Sequence, residues 1–245
     1  MSAGQIALTA VILLVAYLIR SMTGFGSSLV AVPLLALFLP LQFVVPLTLL
    51  LDFTTSVVMS GIHFERVKWN EIGVLIPFGM LGAVLGAKLL ANLPTAPMLM
   101  ALAGLVFIFG VRSVFHVHGD KPVTRAWAAP AALTGGTVGA LFGAGGPPYV
   151  IYLTHRIQDK DDLRATFSVL FLADGMSRVV IFLIAGLLMN AQVWTAYFAA
   201  LPLMLGALYL GGRLQVGLSE SQMARLVGVL LVGSSISLLF KALHE

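Results

Sequence analysis

The sequence predicts an all-α polytopic membrane protein built as two inverted repeats. Each repeat is expected to be a glycine-broken, re-entrant helical hairpin followed by three transmembrane helices. Three observations carry that expectation: a composition too apolar for a water-facing surface, an internal repeat, and a lopsided spread of basic residues. Of 245 residues, 59% are hydrophobic and only 10% are charged, with a mean hydropathy of +1.01. Soluble domains carry about 25% charged residues. Apolar stretches long enough to cross ~30 Å of hydrocarbon recur along the whole chain. The formal net charge of +4 then belongs to cytoplasmic loops, not to nucleic-acid binding. Cysteine is absent, which excludes disulfides, thiolate metal sites and thiol catalysis. The first stretch, MSAGQIALTAVILLVAYLI, has no basic residue ahead of its apolar run, so it is expected to be retained and not cleaved as a signal peptide.

The repeat sets residues 76–115 against 201–240 without a gap, with Pro77 on Pro202, Gly86 on Gly211 and Lys88 on Arg213. Upstream, Asp52 falls on Asp174, and Gly24-Phe25-Gly26 falls on Gly143-Ala144-Gly145. Residues 1–118 form the first repeat and 119–245 the second, within one structural unit. In chain order, 6–39 is the first broken segment, and 44–62, 71–91 and 96–115 are spans. Residues 118–127 read as a linker and 128–154 as the second broken segment; 165–187, 193–214 and 221–240 are the remaining spans. Internal repeats of this kind are typical of secondary transporters.

Charge tests the topology. If each broken segment crosses once, basic residues divide evenly between the two sides. If each enters, turns and leaves where it entered, one side collects Arg66, Lys68, Arg112, Lys121, Arg125, Arg156, Lys160, Arg164, Arg213 and Arg225. The other side keeps only Lys88 and Lys241. The second arrangement satisfies the positive-inside rule; a fully crossing pair of short helices has the same parity, and the short arms 27–39 and 146–154 favour the hairpin. That arrangement inverts the repeats and puts both termini outside. Residues 63–71 and 155–164 then share the cytoplasmic side, where HRIQDKDDLR (155–164) reads as a solvated mixed-charge loop. Trp69, Trp127 and Trp194 sit at span ends, as interface anchors do.

Irregular backbone at membrane depth must line a protein-enclosed, wet cavity. Glycine permits the positive φ that such turns need, which assigns turns to Gly24, Gly26, Gly143, Gly145 and Gly146. Beyond each turn a helix starts. Ser27 and Ser28 are placed to cap the first, and Pro147-Pro148 suit the first turn of the second. Helix N-termini present free N–H groups and a positive dipole end, a receptor for a small anion. Gly82/Gly86 and Gly135/Gly139/Gly143 have the spacing of close helix contacts.

Four ionisable residues interrupt apolar segments: Arg20, Asp52, Asp174 and Arg178. Such residues face a cavity or one another. Asp174 and Arg178 are four apart on one helix face and pair with each other on a purely structural reading. On a functional reading Arg20 and Arg178 bind the anion, and Asp52 or Asp174 carries a coupling proton. The sequence shows no nucleophile–base pair, metal-ligand cluster or cofactor motif, so neither an enzyme nor a cofactor is expected.

Two stretches add a resemblance. GFGSSLVAVPLLALFLP and GAGGPPYVIYL, together with GAVLGAKLLANLP (82–94), resemble the paired signatures of the TauE/SafE sulfite exporter family. The similarity covers roughly residues 6–240. It implies an inner-membrane secondary transporter, an exporter of sulfite, organosulfonates or related oxyanions, working by alternating access. Arg20, Gly24, Phe25, Gly26, Ser27, Ser28, Gly143, Ala144, Gly145, Gly146 and Arg178 are then the substrate-binding candidates. Expected partners are the anion and the lipid bilayer, with a homo-oligomer left open. The alternatives are an anion channel or a non-transporting subunit of a larger assembly.

Overall fold

The computed structural model describes residues 3–24, 26–59, 64–115, 123–213 and 220–244. Among them every regular element is helical. The first repeat supplies α1 (Ala3–Thr23), α2 (Ser27–Leu35), α3 (Leu41–Met59), α4 (Trp69–Asn92) and α5 (Thr95–Phe115). The second supplies α6 (Ala128–Phe142), α7 (Gly146–Arg156), α8 (Lys160–Ile184), α9 (Ala191–Arg213) and α10 (Glu220–His244). Among the described residues, six helices, α1, α3, α4, α5, α8 and α9, are long and apolar enough to cross a membrane. Five of them fall on expected spans. The sixth is α1, which the sequence reading placed in a short-armed hairpin, yet Gly4–Met22 alone has the length of a crossing.

The long helices are two-faced in a way that only lipid explains. On α4, Gly79, Gly82, Ala83, Gly86 and Ala87 are buried, whereas Phe78, Met80, Leu81, Val84 and Leu85 are exposed. Ile184 is 83% exposed and Phe240 62%. Apolar surface on this scale stays out of water only against another apolar phase.

The chain forms two compact units, and each draws helices from both halves of the sequence. The first is Met1–Val44, Asn92–Gly119 and Trp194–Glu245; the second is Val45–Ala91 and Asp120–Val193. In the first unit α5 lies along α10, and α2 packs against α1, α5 and α10. A side chain at Gly110 would come within 2.9 Å of Val232, so its absence lets α5 and α10 close. Apolar on all sides, α2 is buried almost throughout, as such a helix must be. Its C-terminal carbonyl group at Ala36 accepts a hydrogen bond from Lys241 Nζ at 3.0 Å. A cation there also suits the negative end of the helix dipole.

In the second unit α4 packs on α6 with almost nothing between them. A Cβ at Gly82 or Gly86 would overlap the backbone of Leu133 or Thr137, and one at Gly136 would overlap Gly79. The core beside this contact includes Leu75, Ala132, Tyr149, Tyr152, Leu153 and Leu170.

One contact recurs in both units. Gly86 of α4 faces the carbonyl oxygen of Thr137 on α6. In the first unit Gly211 of α9 faces the carbonyl oxygen of Leu18 on α1, 3.2 Å from where a Cβ would lie. The repeat pairs Gly86 with Gly211. The offset that pairs Gly24 with Gly143 likewise pairs Leu18 with Thr137. In each unit, then, the long arm of a broken segment is clasped by the fourth helix of the other repeat.

Candidate functional site

Each unit contains the glycine turn of one broken segment. In the first, α1 ends at Gly24 with φ 81°, and Gly26 with φ 93° leads into α2. Both values lie in the left-handed region that glycine adopts without strain. Among the described residues, a Cβ at either position would meet nothing within 4 Å, so here the requirement is conformational. Beside it lies Arg20, buried although charged. Its Nη1 donates to the Ser27 hydroxyl at 3.0 Å. The serines are not caps as the sequence suggested. The N-cap is Gly26, which has no side chain, and Ser27 and Ser28 lie within the helix, both buried. Ser27 accepts from the guanidinium instead. A buried charge therefore sits at the dipole-positive end of a nine-residue helix about 13 Å long. Phe25, also a candidate, lies outside the described residues.

In the second unit only Gly143 has the expected positive φ, 69°, where it ends α6. Gly145 takes an ordinary right-handed φ of −73°. Its requirement is space, since a Cβ would overlap the carbonyl of Gly135. Gly146 opens α7, with Pro147 in the first turn as anticipated, and Ala144 is buried. This turn is closely packed. Arg178 reaches it from α8, donating from Nη1 to the Gly139 carbonyl at 3.1 Å. Its Nη2 pairs with Asp174 Oδ2 at 2.8 Å, the i,i+4 pair read from the sequence. Tyr149 of α7 donates its hydroxyl to Asp174 Oδ1 at 3.1 Å. Gly139 is the position that the repeat pairs with Arg20. Its lack of a side chain leaves room for Arg178, whose Nη1 lies 3.4 Å from the Cβ position. Both turns thus hold a guanidinium, delivered by α1 in one unit and by α8 in the other.

The equivalent of Asp174, Asp52, is half-buried on α3. The hydroxyls of Thr54, Thr55 and Ser56 each bond a carbonyl one turn back, at 2.9 Å. Part of the polarity of that helix is therefore spent on its own backbone.

The far end of the second unit is a polar cluster. Glu71, buried at the start of α4, accepts from Tyr152 at 2.5 Å and from Arg156 Nη2 at 2.9 Å. Arg66 pairs with Asp161 at 2.8 Å and Lys68 with Asp162 at 2.6 Å. Arg156 donates to the Val123 carbonyl and Arg125 to that of Asn70. So the 64–71 segment, the start of α6 and the end of α7 lie together. The second broken segment is a hairpin whose two ends share one face, with arms of 15 and 11 residues, about 22 and 16 Å. The 155–164 stretch is largely exposed, and three of its charges, Arg156, Asp161 and Asp162, pair across to Glu71, Arg66 and Lys68. Asp159 caps α8, and the amide of Asp162, helped by that of Asp161, holds its carboxyl below the usual aspartate range. A lowered carboxyl stabilises the fold above its unfolded pKa, and that contribution is lost as pH falls through the folded value.

An open groove of about 610 Å³ runs along this cluster, lined in part by Lys68, Asn70, Glu71, Arg156, Asp159 and Asp162. Its carboxylates outnumber its cations, which makes it a poor receptor for an anion. Glu71→Gln should lower the stability of the purified protein by about 1.5–3 kcal/mol, the usual worth of hydrogen bonds to charged groups. Anion affinity should be unchanged, because the cluster lies an α7 length from the turn. A thermal melt matching wild type would show that the Glu71 charge contributes nothing.

Sequence reasoning missed Tyr149, Glu71, Tyr152 and Arg156. Tyr149 and Tyr152 sit in the quoted GAGGPPYVIYL stretch, and two tyrosines in an otherwise apolar helix were the available signal, since a buried hydroxyl needs a partner.

Residues 8–238 match the family model described as sulfite exporter TauE/SafE. The chain is also 28% identical over 195 residues to the probable inner membrane transporter protein TsaS of Comamonas testosteroni, covering 78% of this chain and 81% of that protein. No solved structure matches.

Proposed function

We propose, for a chain that belongs to the TauE/SafE sulfite exporter family, that it carries small sulfur-containing anions such as sulfite or organosulfonates outward across the inner membrane by alternating access. Family membership and the named relative support a membrane transporter. The substrate class rests on one observation above all, the buried Arg20 held against Ser27 where α2 begins. A guanidinium and a helix N-terminus, both shielded from water, attract an oxyanion more strongly than either does in solvent.

On this reading Arg20 and residues 24–28 contact the anion in the first unit. Gly143, Ala144, Gly145, Gly146 and Arg178 are their counterparts in the second, and Asp52 and Asp174 are the proton-coupling candidates. The end of the second unit that gathers Arg66, Lys68, Arg125 and Arg156 is the cytoplasmic one by the positive-inside rule. With three crossings per repeat, both termini then face the periplasm.

Proteoliposomes containing the purified chain test this. Saturable counterflow of labelled sulfite or taurine is expected, together with a higher melting temperature in either ligand. At a hundred times its Kd a ligand adds about 2.7 kcal/mol of stability. A non-saturating, ohmic current would make the protein a channel, and no flux with no melting shift would remove the substrate assignment.

A further inference from the structure

The Asp174–Arg178 pair meets only half of the guanidinium edge it occupies. Asp174 divides its two oxygens, giving Oδ2 to Arg178 Nη2 at 2.8 Å and Oδ1 to the Tyr149 hydroxyl at 3.1 Å. Arg178 Nη1 is engaged with the Gly139 carbonyl. That leaves Nε, which is buried and has no hydrogen-bond acceptor among the described residues. Nε and Nη2 form one side of the guanidinium fork, which binds two oxygens of a single oxyanion side by side. The carboxylate that fills this site therefore engages only one of the two donors. Tyr149 draws the carboxylate away from the two-point geometry that it would otherwise adopt.

The groups facing the carboxyl are few. Arg178 comes from its own helix, and Tyr149 from α7. From α4 it faces Gly79, whose Cβ position is 3.8 Å from Oδ1. From α3, Phe53 packs on the neighbouring Gly175. The titratable partners of Asp174 in these contacts are thus Arg178 and Tyr149. A buried Arg178 next to a carboxylate is close to neutral as a pair, whereas next to a neutral carboxylic acid it is a net cation needing an anion.

We infer that Asp174 is a tethered counter-ion that competes with the transported oxyanion for Arg178, so that each anion binds together with one proton. The inference rests on the anion-transport reading above. A proton adds to the Asp174 carboxylate and cancels its charge. The Nη2–H···Oδ2 bond gives way, and Nη2–H and Nε–H each donate to an oxygen of the incoming anion. Tyr149 keeps hold of the neutral carboxyl and prevents it from following the guanidinium. Release reverses every step: the anion leaves, the proton leaves, and the ion pair closes again. One anion and one proton move in the same direction. An exporter of this kind runs on the anion's own gradient, and an imposed proton gradient drives anion toward the less acidic side.

Methanesulfonate is a suitable probe because its own charge does not change with pH. Binding to the purified wild-type chain should take up about one proton, read by calorimetry in two buffers of different ionisation enthalpy. Affinity should fall about tenfold per pH unit once Asp174 is deprotonated. Asp174→Asn should bind methanesulfonate at least tenfold more tightly at alkaline pH, with no pH dependence, and its melting temperature should rise more with methanesulfonate than with matched chloride. Should that variant not fold, proton uptake by the wild type decides the question alone. Binding without proton uptake, or an Asp174→Asn affinity that follows the wild-type pH profile, overturns the counter-ion role and leaves the anion reading standing. Failure of the wild type to bind methanesulfonate or sulfite at any pH removes both.

Discussion

Arg20→Ala should cost about ten- to a hundredfold in sulfite affinity. A hydrogen bond from a charged donor is worth about 1.5–3 kcal/mol, and each 1.4 kcal/mol is a factor of ten. The alanine variant also leaves Ser27 without its Arg20 bond in a buried position, so some stability is lost as well. Two comparisons separate binding from packing. Ser27→Ala removes the same hydrogen bond and keeps the charge, so it should lower the melting temperature as Arg20→Ala does while costing less affinity than Arg20→Ala. Arg20→Lys keeps the charge without the planar fork and should fall between wild type and alanine. Affinity measured on folded protein settles the matter: if Arg20→Ala binds sulfite as the wild type does, Arg20 belongs to the packing of α1 and α2 alone.

A large loss of stability is expected from adding a single methyl group. In Gly136→Ala the new Cβ would overlap the carbonyl group of Gly79, with the Ala83 amide nitrogen 3.0 Å away. All of these are backbone atoms of α4, so no rotamer change relieves the clash and the two helices must separate. Overpacking of this kind typically costs about 1–3 kcal/mol and occasionally more. Gly206→Ala is the matched control. It also sits inside a helix, α9, but its Cβ would meet nothing within 4 Å. Relief of glycine's helix penalty should there stabilise the protein by about 0.5–1 kcal/mol. Thermal melts in detergent read both. If Gly136→Ala and Gly206→Ala melt alike, α4 and α6 do not approach as closely as described.

Features that depend on local chemistry were legible in the sequence. The breaks at Gly24–Gly26 and Gly143 are visible because consecutive apolar residues otherwise continue a helix. The Asp174–Arg178 pair is visible because positions four apart share a helix face. Features that depend on long-range packing were not. Glu71 and Arg156 are 85 residues apart, and nothing local in either marks the other as its partner. Gly145 and Gly143 look alike in sequence, yet one is required for its φ and the other for the space beside it. Ser27 has the chemistry of a cap, but a guanidinium four positions before the glycine turn took its oxygen first. The role of Gly136 lies in the backbone of α4, from which it is separated by all of α5.

The two units also become complete at different moments during synthesis. The second needs nothing beyond Val193, whereas the first uses residues from its opening helix through α10. When the ribosome has made α1 and α2, the helix that clasps α1 and the lysine that holds the end of α2 are still more than a hundred and fifty residues away. Until the last helix enters the bilayer, the Arg20–Ser27 pair must wait without the helices that later pack around α1 and α2. Stalled or truncated chains should therefore be cleared by membrane quality control, even with the second unit already formed.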